Sequence, residues 1–162
     1  MHDSKQSSTV DDFKRILKGK VLLFGIGNTL RGDDALGPVL VEQLMNKINA
    51  VCINAEGSPE NYTGKVIKEK PDTLVIIDAV HMNLNPGEYR LLVPEDLDDT
   101  VFSTHDIPLR MLTDYLRSEI KMDIYILGIE PQQLELGRKM SPEVRRTIKL
   151  IEEMIICAFY PV

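Results

Sequence analysis

Three side chains in this sequence could share chemistry: Asp34, Asp78 and His105. Asp34 follows an apolar run and a glycine turn, Val21-Leu22-Leu23-Phe24-Gly25-Ile26-Gly27, and closes the triplet Gly32-Asp33-Asp34. Asp78 lies inside the apolar segment Leu74 to Val80, where an acid needs a partner. His105 stands in Ser103-Thr104-His105-Asp106, just ahead of an amphipathic stretch. Two hard oxygen ligands and one borderline nitrogen suit a divalent ion such as zinc, nickel, iron or manganese, and three ligands leave positions open for water or a substrate. The same trio also suits metal-free acid–base work by paired aspartates. Each member has a structural reading as well: Asp34 as a helix cap, His105 as a cap or a partner of a backbone carbonyl. Only convergence would make them a site.

The elements around them read as alternating strands and helices. Lys20 to Phe24 is a first strand, apolar enough for burial on both faces. Asp33 or Asp34 begins a helix whose apolar positions are Leu36, Val39, Leu40, Leu44 and Ile48. Ala50 to Ile53 is a second strand, and Ser58-Pro59-Glu60 starts a weak helix towards Lys70. Thr73 to Val80 is the most strand-like segment. After the turn Asn85-Pro86-Gly87, Glu88 to Val93 reads as an antiparallel edge strand, and Pro94 to Phe102 as an acidic loop. The 103–106 tetrapeptide leads into a helix with Ile107, Leu109, Met111, Leu112, Tyr115 and Leu116; Asp123 to Gly128 is the last strand; Ser141-Pro142-Glu143 opens a terminal helix. This order predicts an α/β fold, a three-layer α/β/α sandwich around a five-stranded mixed sheet with one antiparallel edge strand. Parallel strands share a carboxyl edge, so Asp34 and Asp78 fall on one rim; with the second strand on one side of the first and the third on the other, that rim is the switch point where such folds bind ligands.

Composition narrows the function. A chain of 162 residues with 43% hydrophobic and 27% charged residues suits one globular domain, expected over 20–162, with residues 1–19 as an N-terminal extension. In the extension, Phe13, Ile16 and Leu17 predict a short helix over Asp11 to Leu17, either a docking flap or an ornament. The net charge of -6 argues against a nucleic-acid partner. No apolar run approaches the ~20 residues of a membrane span, and the N-terminus lacks a signal peptide's apolar core, so no membrane insertion and a cytoplasmic location are expected. Cys52 and Cys157 sit in apolar contexts as buried, reduced thiols. Gly25-Ile26-Gly27 lacks the third glycine of a dinucleotide fingerprint. His2 belongs to a loose tail, and His81 reads as an exposed loop histidine.

Gly25-Ile26-Gly27-Asn28, Gly32-Asp33-Asp34, Gly37-Pro38, Ile76-Ile77-Asp78-Ala79 and Thr104-His105, in this order, resemble the hydrogenase maturation endopeptidases. Asn83 to Glu88 and Gly128-Ile129-Glu130-Pro131 resemble the HycI-type branch, which processes the large subunit of hydrogenase 3. The resemblance spans residues 20 to 158. It implies a phosphorylase/hydrolase-like (HybD-like) fold with strand order 2-1-3-5-4. It implies an endopeptidase, conventionally of aspartic type, that removes a C-terminal extension from a nickel-iron hydrogenase large-subunit precursor after nickel insertion. Asp34, Asp78 and His105 match the family's catalytic and metal-contacting residues, so nickel would arrive with the substrate and no tight resident cofactor is expected. The alternatives are a non-cleaving, nickel-dependent checkpoint protein that binds the precursor, and a peptide or small-molecule hydrolase with its own metal. Two local departures stand out: Glu56-Gly57-Ser58 where the family often has two glycines, and Asp106 where asparagine is familiar.

Overall fold

A computed structural model describes residues 8–105 and 107–161; His2 and Asp106 lie outside them. Strands β1 (Val21–Gly25), β2 (Val51–Asn54), β3 (Thr73–His81), β4 (Tyr89–Leu92) and β6 (Asp123–Ile129) form one sheet in the order β2-β1-β3-β6-β4. β4 is antiparallel to β6; the other pairings are parallel. This is the predicted sheet and order. A sixth strand, β5 (Phe102–Ser103), was not predicted: it pairs antiparallel with the far end of β3, Val80 opposite Ser103 and His81 opposite Phe102. Two residues carry too little pattern to be read as a strand, and Phe102 is half exposed.

Successive residues of a strand face opposite sides of a sheet, so the apolar runs feed two cores. Leu23, Val75, Ile77 and Leu127 pack on the side of α2 (Leu36–Leu44) and α5 (Pro142–Phe159). Leu22, Leu74, Ile76 and Ile126 face the side of α3 (Thr63–Glu69) and α4 (Leu109–Glu119). Helix α1 (Val10–Ile16) begins with the Asp12 carboxylate accepting from the Thr9 backbone N–H at 2.8 Å. It is not an ornament, because Phe13 and Ile16 are 0% and 2% exposed within the α2–α5 core.

Helix starts deviate most from expectation. A 3₁₀ turn over Gly32–Ala35 precedes α2, and another over Pro59–Tyr62 precedes α3. α4 starts only at Leu109, after Pro108, because a proline ring disfavours helical geometry in the residue before it. Ser141 does cap α5, its side chain accepting from the Val144 N–H.

Candidate active site

Asp34 reaches the sheet's carboxyl edge because the turn after β1 folds tightly back on the 3₁₀ turn. A Cβ on Gly27 would overlap the carbonyl oxygen of Asp34, and one on Gly37 would overlap that of Ile77 on β3. Glycine at both places lets the start of α2 press against β1 and β3. The Asp34 side chain is then fixed at both oxygens. Its Oδ2 accepts from the Asn28 backbone N–H and its Oδ1 from the Thr104 hydroxyl, each at 2.8 Å.

Asp78 lies on β3 and is completely buried. β5 explains how it is held: pairing with the end of β3 brings Ser103 over Asp78, and the Ser103 hydroxyl donates to Asp78 Oδ2 at 2.5 Å. His105 Nε2 lies 3.0 Å from Asp78 Oδ1 and 3.7 Å from Asp34 Oδ1. Burial pushes the Asp78 carboxyl above its ordinary range. The neighbouring imidazole and the Ser103 hydroxyl oppose that rise, while the charge of Asp34 adds to it.

One potential ligand atom from each of Asp34, Asp78 and His105 lies within 4.8 Å of the others. Asp34 and His105 line an open cleft of about 600 Å³, with Asp78 beneath. Two carboxylate oxygens and an imidazole nitrogen converging at one place can engage a divalent cation or share a proton with a bound peptide.

The family model for hydrogenase maturation proteases matches residues 38–158. The hydrogenase 3 maturation protease of Escherichia coli K12 is 32% identical over 137 residues, covering 83% of this chain and 87% of that protein. The chain belongs to the hydrogenase maturation protease family. Among solved structures it is similar to the nickel-iron hydrogenase maturation protease HycI of Thermococcus kodakarensis, with a TM-score of 0.82 and 29% identity over 90% of this chain and 97% of that one. HybD of Escherichia coli shares the fold at a TM-score of 0.71 and 25% identity, covering 86% and 91% of the two chains. As a member of this family the chain is a hydrolase of the endopeptidase class. Among its described residues no helix is long and apolar enough to cross a membrane.

This maturation protease contains further polar residues that the sequence reading did not assign. Asp33, next to Asp34, turns inward: its carboxylate accepts from the backbone N–H groups of Gln132, Gln133 and Ser141 and from the Ser141 hydroxyl, at 2.7 to 3.1 Å. Glu130, at the end of β6, accepts from the Met82 and Leu84 N–H groups at 2.9 and 2.8 Å. Glu130 ends the run Ile-Leu-Gly-Ile and could have been found by the argument applied to Asp78, that an acid closing an apolar strand needs partners. Ser103 and Thr104 had only their position beside His105 to mark them. His81 stays outside the trio: it ends β3, with Nδ1 3.5 Å from Glu130 Oε2 and its ring 5.1 Å from that of Phe102. Both cysteines are free and half-buried rather than fully buried, and burial pushes the Cys52 thiol up to about 11, away from nucleophilic use.

Proposed function

We propose that this protein removes the C-terminal extension of a nickel-iron hydrogenase large-subunit precursor in the cytoplasm, after the precursor has received its nickel, and that Asp34, Asp78 and His105 are its catalytic and nickel-contacting residues. The observation that carries this reading is the meeting of two carboxylates and one imidazole at the floor of an open cleft. Nickel enters as part of the substrate, held by substrate cysteines, and the trio occupies the coordination positions left to it. A cation shared between substrate and enzyme fixes the scissile peptide in place, which accounts for much of the rate of a hydrolytic step. Water then adds to the carbonyl carbon, the C–N bond breaks, and the proton released by the water reaches the leaving amine. Asp34, on the cleft side, is placed to take that proton; Asp78 and His105 hold each other beneath it. The donor set contains no thiolate, which agrees with a metal that comes and goes with the substrate.

The decisive experiment incubates the protein with nickel-loaded and nickel-free precursor and follows loss of the C-terminal peptide by mass. Cleavage of the loaded form alone is expected; equal cleavage of both ends the nickel reading. Using less enzyme than precursor separates a protease, which processes all of it, from a checkpoint protein, which processes none.

A further inference from the structure

We propose that a rigid shoulder beside the cleft, carrying Leu30, Arg31 and Leu136, is the surface on which the folded body of the precursor docks; this rests on the substrate proposed above. Two loops build the shoulder, and their backbones are joined directly. Asp33 N–H donates to the Gln133 carbonyl at 2.8 Å, Gly32 N–H to that of Arg138 at 3.1 Å, and Gly137 N–H to that of Leu30 at 2.8 Å. The buried Asp33 carboxylate adds bonds to the Gln132 and Gln133 amides and, beyond the second loop, to Ser141 at the start of α5.

On this joined base Leu30 and Leu136 are 66% and 65% exposed, the two most exposed large apolar side chains among the described residues. Loops tied this densely cannot fold their leucines away from water by local collapse. Arg31, between Leu30 and the Asp33 anchor, makes no side-chain hydrogen bond or ion pair among the described residues, and it lines the cleft with Leu134 of the second loop. The shoulder is therefore continuous with the cleft wall. Arg31 and Leu134 belong to the cleft wall and to the two loops alike, so a protein whose tail lies in the cleft has its body within reach of Leu30 and Leu136. Such a partner presents an apolar side chain to the two leucines and a carboxylate to Arg31, which a guanidinium can bind with two parallel hydrogen bonds. A second copy of this chain seated here would obstruct the approach to the cleft, which favours the substrate as occupant.

The test measures steady-state processing of nickel-loaded precursor by the wild type, the double variant L30S/L136S, R31E and, as a control, Leu150→Ser on α5, which is half exposed and outside the cleft. Expected is a rise in KM of about tenfold or more for L30S/L136S and for R31E, with kcat within about twofold of wild type and no change for Leu150→Ser. Exposed positions leave the melting temperature in place, and R31E probes the surface without touching either leucine. Unchanged KM in both shoulder variants overturns the proposal. So does a wild-type dimer in solution that L30S/L136S dissociates, since the occupant is then a second copy. If the wild type itself cleaves no precursor, the substrate reading falls and this docking surface with it; if the wild type cleaves and the shoulder variants match it, only the docking surface falls.

Discussion

Four carboxylate residues are buried among the described residues, all near the carboxyl end of the sheet, and they are held in two different ways. Asp33 and Glu130 take most of their hydrogen bonds from backbone N–H groups, which cannot rotate away: three for Asp33 and two for Glu130. Each ties loops to the fold. Asp34 and Asp78 depend largely on side chains, the hydroxyls of Thr104 and Ser103 and the imidazole of His105, with one backbone N–H at Asp34. A hydroxyl can turn and an imidazole can exchange a proton, so this second pair can change partners when a ligand arrives. All four are buried carboxylates, and the nature of the donor separates the two groups, fixed backbone amides in the first and mobile side-chain groups in the second.

The sharpest way to break this comparison is to alter the two neighbouring acids separately. Asp34→Asn should lower processing by about a thousandfold while leaving the melting temperature nearly unchanged. Asp33→Ala should do the reverse first. Loss of a buried carboxylate that satisfies three backbone amides costs about 3 kcal/mol of stability, read by denaturant unfolding. If the two variants gave the same profile, the distinction would be lost. Asp78→Asn tests the middle ground. An acid whose folded pKa is raised above its usual 3.8 destabilises the fold as pH rises past that value, with the full penalty above the folded pKa. The asparagine variant should therefore melt a few degrees higher than wild type at neutral pH, with the gain shrinking towards acid, although processing is lost. The smallest effect is expected from Thr104→Val, which removes one donor from Asp34 and should slow processing several-fold at unchanged stability.

Much of this was legible in the sequence. The apolar runs around Leu23, Val75 and Leu127 marked strands, their alternation with helical patterns pointed to the layered fold, and the family resemblance supplied the strand order. Asp34 and His105 could be singled out because each stands just ahead of a helix, and Asp78 because it is an acid inside an apolar strand. The separate task of Asp33 could not be read, because its partners Gln132, Gln133 and Ser141 lie about a hundred positions away and only the fold brings them near. β5 escaped notice for a related reason: its two residues gain their strand character from the end of β3, not from their own pattern. The 3₁₀ entries to α2 and α3 also left little trace, since apolar spacing reports a helix's buried face better than its first turn.

Helix α1 has a consequence for where this protein can be divided. It precedes the first strand of the sheet, and a boundary drawn at that strand would discard it. Yet Phe13 has no exposed surface, and the Tyr89 hydroxyl of edge strand β4 donates to the Ser8 carbonyl at 2.5 Å. A chain begun at Lys20 would uncover Tyr89 and part of α5 and leave a hole where an aromatic ring had been. Here an apparent appendage serves as a wall of the molecule, and trimming it would expose the interior.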